Sequence, residues 1–387
     1  MTSYLPAAGI RVLDLGIITA GASTSAILAD LGADVIKVES ASYMDPFRVW
    51  DIKAGEGRWW DVSPLYRFTN RNKRCVSLDL KHEEGRALLL ALAREADLVV
   101  ENFRRGVLDR LGVGPAALLE ANPRLVVASV SSQGEDGPDR DAVSFGSTLD
   151  ATSGLAWLTA YEDGPPTLSG RDVNFPDQVV SVFAAGAILA ALGHVGETGR
   201  GGHLDLPQRE LATFLVGEEI VRAARAGGDR RPRGNEGDEI YWQDCVRAAD
   251  GVWIAVSVMD ADSAASLDLP REPRAFGEAL AGWAAERDGE AVIGHMRARG
   301  VAAAVVSDSE SLGAMPLEAF GSALARSPDG GVAKGFPFQL TGTPLTVRAP
   351  APALGEHTRE VLAELLHLSD EEIDRLEREG VTSDRPA

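Results

Sequence analysis

Short apolar runs, each too brief for a helix, alternate with helical patterns through the first third of the chain, and this alternation constrains the fold more than any other feature. It predicts strands over 10–15, 34–38, 76–80, 98–100 and 125–130, with helices over 21–31, 83–96 and 115–120 between them. Such a repeat builds a parallel sheet covered on both faces, because parallel neighbours need a crossover long enough to hold a helix. The first half therefore reads as Rossmann-like α/β. A loop rich in Gly, Pro, Thr and Asp over 156–175 then feeds an apolar run over 179–193. That run reads as a buried helix, shorter than the roughly 20 residues of a membrane span.

The polar RAGGDRRPRGNEGDE over 225–239 reads as a linker into a second unit. That unit is expected to carry strands over 252–256 and 302–306 and helices over 273–287 and 291–300. Past the turn at 327–331 come a Pro-punctuated run and two helices, the second opened by a capping box of Ser369 and Glu372 and closed by Gly380.

Asp and Glu number 58 against 38 Lys and Arg, a net charge of −20 that repels polyanions, so neither nucleic acid nor an anionic membrane is an expected partner. Two cysteines, Cys75 and Cys245, make no disulfide framework and suit a reducing compartment, here read as the cytoplasm. Residues 1–6 show no targeting pattern. The histidines lack metal-binding spacing, so no metal site is expected. Gly16-Ile-Ile-Thr-Ala-Gly21 lacks both the third glycine of a dinucleotide fingerprint and the Lys-Ser/Thr of a P-loop, and no G-x-S-x-G elbow occurs.

Three features could carry chemistry. The basic run Asn70-Arg-Asn-Lys-Arg74 with Lys81 reads as a solvated loop or as a phosphate holder, to which Arg48, Arg104, Arg105 and Arg110 would add if the loops converge. Glu39, ending the second predicted strand, reads as a solvated strand end or, less well, as a ribose acid. Asp177, where a Pro-containing loop meets the apolar helix, reads as a first-turn acid or as a carboxylate nucleophile beside backbone N–H groups.

The motifs also occur in a familiar order. Gly9-Ile-Arg-Val-Leu-Asp14, Ala29-Asp-Leu-Gly-Ala-Asp-Val-Ile-Lys-Val-Glu39, Ser77-Leu-Asp-Leu-Lys81 and Val100-Glu-Asn-Phe-Arg104 are followed by Asn122-Pro-Arg-Leu125, Phe175-Pro-Asp177, Thr198-Gly-Arg-Gly201 and Leu354-Gly-Glu-His-Thr358. From end to end the chain resembles the class III CoA-transferases, the family of formyl-CoA transferase and carnitine CoA-transferase.

The resemblance implies a large Rossmann-like domain built from both chain ends, residues 1–225 and 331–387, around a linker and small α+β domain over 226–330, in an interlocked homodimer. It implies transfer of CoA from an acyl-CoA to a carboxylic acid with no tightly bound cofactor, CoA entering as substrate. Asp177 falls on the family nucleophile, which forms an aspartyl anhydride and then an aspartyl-CoA thioester. Leu78, Lys81, Asn102, Phe103 and Arg110 fall on CoA contacts, with Arg48 a further phosphate ligand. Gly234 and Gly237 stand nearest the family's glycine loop, which supplies backbone donors. The chain departs from the family in carrying Thr19, Ser40, Phe145 and Gly146 where glutamine, a basic residue, tyrosine and an acid are frequent. Phe145 removes a hydroxyl from the substrate pocket, suiting a more apolar acyl group. An acyl-CoA racemase of the same fold, or a non-catalytic CoA-binding subunit of a heteromeric transferase, stands as the alternative.

Overall fold

The structure, a computed structural model, describes residues 5–170, 173–226, 231–237, 239–336 and 338–387. The chain divides into two compact units: one of Met1–Leu155, Leu168–Ile220 and Phe320–Ala387, the other of Ala156–Thr167 and Val221–Ala319.

The first unit is built on six strands, β1 (Arg11–Asp14), β2 (Asp34–Glu39), β3 (Arg74–Ser77), β4 (Leu98–Glu101), β5 (Val126–Ser129) and β6 (Gly202–Asp205), all parallel, in the order β3-β2-β1-β4-β5-β6. Alternate side chains feed two cores. Val12, Leu98, Val100, Val126 and Ala128 face one way, and Leu13, Val99 and Val127 face the other, against Leu89, Leu92 and Leu118. Strand order reverses between β1 and β4. The loops that leave those two strands diverge there and open a crevice at the carboxyl edge of the sheet, the usual ligand position in such folds.

Two features differ from expectation. β6 escapes a reading based on apolar runs because Gly202-His203-Leu204-Asp205 is a half-exposed edge strand. The apolar run belongs to a 24-residue helix, Phe175–Thr198, which by length and composition alone is long enough to cross a membrane. It is not buried all round: Val180, Ala184 and Ile188 enter the core, whereas Val182 and Phe183 are 46% and 42% exposed.

The second unit has a three-stranded antiparallel sheet, β7 (Trp242–Arg247), β8 (Trp253–Val258) and β9 (Ala302–Val305), whose Val246, Ile254, Val256 and Val258 pack with Phe276, Leu280, Val292 and Met296. β7 buries only Val246, so its apolar signal is faint. Ala156–Thr167 joins this unit through bonds from Gly234 N–H to the Ala160 carbonyl and from Asn235 to the Tyr161 hydroxyl.

Candidate active site

The crevice of the first unit is a cavity of about 870 Å³. Its lining includes Ile17, Ile18 and Thr19 after β1, Leu78 and Lys81 after β3, Asn102, Phe103, Arg104 and Arg110 after β4, then Gln133, Phe145, Asp177 and Gln208.

The first turn is shaped by close packing. A Cβ on Gly21 would fall 2.7 Å from Gly16 Cα and 2.6 Å from Asn102 Oδ1, so only glycine permits this approach. Asn102 uses both ends of its amide on the Ile17 backbone, accepting from the N–H at 2.7 Å and donating to the carbonyl at 3.0 Å. Asn102 thus lines the cavity as the brace of the first turn. Ile18 is held in the left-handed region at φ 60°, which is costly for a β-branched residue, and its N–H donates to Asp45 Oδ1 at 3.1 Å.

Behind this turn lies a buried ionic layer that corrects three expectations. Arg48 is fully buried, donating to Glu39 Oε1 at 2.9 Å and Oε2 at 2.7 Å, to Asp61, to the Tyr66 hydroxyl and to the Pro352 carbonyl. With every N–H group aimed at protein, it is a strut and does not line the cavity. Glu39 is correspondingly no solvated strand end. Burial by itself would push its carboxyl up, but Arg48 and then Lys37 outweigh that and hold it at about 2. The Asn70–Arg74 run is neither a solvated loop nor a phosphate holder: Arg71 pairs with Asp30, Lys73 with Asp14 at 2.8 Å, and Arg74 with Asp34 at 2.8 Å.

The cavity does carry cations without an ion pair. Lys81, Arg104 and Arg110 are exposed, line the cavity and meet no carboxylate among the described residues, whereas Arg105 is engaged by Glu135 and Asp141. Leu78 is buried in the wall, and Phe103 lies 6.3 Å from Tyr43, an exposed ring that the sequence reading omits. Thr19 is buried and Phe145 is 62% exposed.

Asp177 occupies the third position of the Phe175–Thr198 helix, after Pro176, whose missing N–H costs nothing in a first turn. No donor among the described residues reaches its carboxylate. Burial, followed by the nearby charge of Asp150, pushes it up to about 7. Gly234 and Gly237 belong to the second unit, where the Gly234 N–H is already donated to Ala160 at 3.1 Å, so that group is not free to bind an oxyanion. Cys75 is buried and its thiol is pushed well above the usual range, first by burial and then by Glu39.

The model of CoA-transferase family III matches residues 7–358. The chain belongs to that family. Among similar proteins of this family, a succinyl-CoA–D-citramalate CoA-transferase of Chloroflexus aurantiacus is 31% identical over 97% of this chain and 98% of its own. A succinyl-CoA–L-malate CoA-transferase beta subunit of the same organism is 30% identical over 98% and 99%. The crystal structure of a CaiB/BaiF family protein from Brucella suis superposes with a TM-score of 0.82 at 26% identity, covering 93% of this chain and 99% of that one. As a CoA-transferase family III member, the chain acts on CoA thioesters, and the cavity of its first unit is the place to seek the reaction.

Proposed function

We propose that the protein moves coenzyme A from an acyl-CoA to a carboxylic acid through covalent adducts on Asp177. One observation carries this reading: the sole carboxylate on the long helix that reaches the cavity stands at the helix start, without a donor of its own and with a proton affinity near neutrality. An Asp177 oxygen attacks the thioester carbonyl, the C–S bond breaks, and the charge leaves on the CoA thiolate. The thiolate then attacks the aspartyl carbonyl of the mixed anhydride, releasing the first carboxylate and leaving an aspartyl-CoA thioester. The acceptor acid runs the two steps in reverse. The activation is kept throughout as an anhydride or thioester of Asp177, so ATP is not needed.

Lys81, Arg104 and Arg110 suit the phosphates of CoA because they are unpaired, and Leu78 and Phe103 suit its less polar parts. Thr19 and Phe145 are assigned to the acyl pocket. Lys81→Ala or Arg110→Ala is expected to raise KM for acyl-CoA about 5- to 20-fold with little change in kcat, since a phosphate contact is shared by ground and transition states. Initial-rate kinetics checks this, and an unchanged KM removes that residue from the CoA contacts.

Succinyl-CoA is the donor named for both relatives and is the first donor to assay. A second copy of the chain would cover the exposed apolar stripe of Val182, Phe183 and Phe214, in keeping with a homodimer. Since one relative is named a subunit, the second reading is a heteromer with a paralogue, which native mass measurement separates from a homodimer. The reducing, cytoplasmic setting belongs to the same proposal and suits the free Cys75 and Cys245.

The deciding experiment incubates the protein with a panel of acyl-CoAs, quenches with hydroxylamine and seeks a hydroxamate on the peptide that holds Asp177. Modification at Asp177 is the expected result and names the donor. Protein that binds CoA yet yields no hydroxamate with any donor overturns the reading and favours a racemase or an inactive subunit.

A further inference from the structure

Beside Asp177 lies a carboxylate to which the transfer reaction assigns no part. Asp150, on the Gly146–Thr152 helix, is 1% exposed. Its Oδ2 accepts from the Ser169 N–H at 2.9 Å and from the Ser169 hydroxyl at 2.6 Å. Ser169 Oγ in turn accepts from the N–H of Phe175 at 3.1 Å, the first residue of the helix that bears Asp177. This link matters because Asn174, at the cap position, makes no side-chain cap bond. The two helix starts also touch: a Cβ on Gly146 would lie 2.7 Å from Asn174 Oδ1. Asp150 Oδ1 has no hydrogen-bond partner, and no cation among the described residues pairs with the carboxylate. An amide would accept the same two bonds from Ser169. What a carboxylate adds at this place is a charge that no cation among the described residues pairs.

We propose that Asp150 is a positioning residue for Asp177, fastening the start of its helix through Ser169 and setting an unneutralised negative charge beside the attacking carboxylate. The inference rests on Asp177 being the nucleophile. Repulsion between the two carboxylates weighs on the resting enzyme and disappears on acylation, because the anhydride is neutral and the charge has left on the thiolate. Asp150 thereby favours the first chemical step. The other charged groups facing the long helix are engaged or distant from this role. Asp30 on the Ala20–Asp30 helix pairs with Arg71, Arg209 on the Gln208–Phe214 helix pairs with Asp139 beside Glu210, β5 offers no titratable side chain, and Lys334 binds Gln178 at 2.6 Å. The upward displacement of Asp177 accords with this, burial coming first and Asp150 second.

The test is Asp150→Asn, which preserves size and the Ser169 bonds while removing the charge. In substrate-free protein carrying 13C-labelled aspartate, with the Asp177 signal assigned by Asp177→Asn, the Asp177 midpoint is expected to fall from about 7 by about half a pH unit or more. The acid limb of the kcat/KM profile should move by the same amount, and its plateau should fall about 3- to 10-fold. Asp150→Gln carries the same expectation and covers failure of the asparagine variant to fold. An Asp177 midpoint unmoved by either substitution overturns the proposal, as does a wild-type midpoint in the ordinary range near about 4, with no variant needed. Because this titration is read without turnover, it fails or succeeds separately from hydroxamate trapping, which judges the nucleophile itself.

Discussion

Asp177→Ala is expected to lower kcat by about four orders of magnitude or more while the dissociation constant for CoA stays within about threefold. The methyl group cannot accept an acyl group, and the cations and apolar wall assigned to CoA lie on other loops. Single-turnover kinetics with equilibrium binding checks both halves, and activity within tenfold of wild type rejects Asp177 as nucleophile. The same substitution should stabilise the fold at alkaline pH. A carboxyl whose folded affinity for a proton is raised to about 7 destabilises the native state once ionised. The penalty is absent below about pH 4, where the unfolded chain is protonated too, grows between about pH 4 and 7 as the unfolded carboxyl ionises ahead of the folded one, and is complete above 7. After screening by solvent, a gain on the order of 2 kcal/mol at pH 8 is expected, vanishing near pH 4. Denaturant melts at the two pH values measure it.

Arg48→Ala carries the second large effect, on stability. Removing one member of a buried pair leaves its partner charged and unsolvated, and a loss of about 3–5 kcal/mol is expected, enough to unfold much of the protein. The pH dependence has a definite sign. Glu39 is held at about 2 in the fold, so its stabilisation is complete above its unfolded value near about 4.3 and is lost as pH falls toward 2. The difference between wild type and variant should therefore be full at pH 7 and narrow in acid. Urea melts at pH 7 and at about pH 2.5 test this, and equal midpoints at pH 7 would show that Arg48 is no strut. Adding Glu39→Gln to the variant should recover part of the loss.

The parallel sheet is legible in the sequence because the inner strands β4 and β5 are mostly apolar, Val12 and Leu13 of β1 sit in a short apolar run, and helix-length segments separate them. The edge strand β6 and the half-solvated β7 carry no such runs and go unread. Asp177, Lys81, Phe103 and Arg110, singled out by the order of motifs, do line one cavity, Lys81 and Phe103 on loops leaving strands, Asp177 at a helix start and Arg110 at the end of the short Val107–Arg110 helix. Arg48 is misjudged because its partner Glu39, only nine residues away, is itself buried, and the Asn70–Arg74 run because its acids are remote. A basic residue looks solvated until its acid is found, and the acids here, Asp14, Asp30 and Asp34, stand 40 or more residues earlier and meet it only across the folded sheet. Asp150 carries no signal of its own, being one acid among 58; its place is set by how two helix starts pack.

The cavity wall is stitched from segments that leave β1, β3, β4 and β5, from the start of the long helix and from Gln208 beyond β6. The residues beneath it are tied still farther along the chain: Arg71 donates to the Gly335 carbonyl, Arg48 to that of Pro352, and Asp79 N–H to that of Val381. Pairings so remote in sequence form late in folding. On the ribosome, where the N-terminal part emerges first, a chain that has exposed Asp177 still lacks the last ties of the layer that braces the first turn. The layer that braces the first turn is thus complete only once the segment from Gly335 to Val381 has docked.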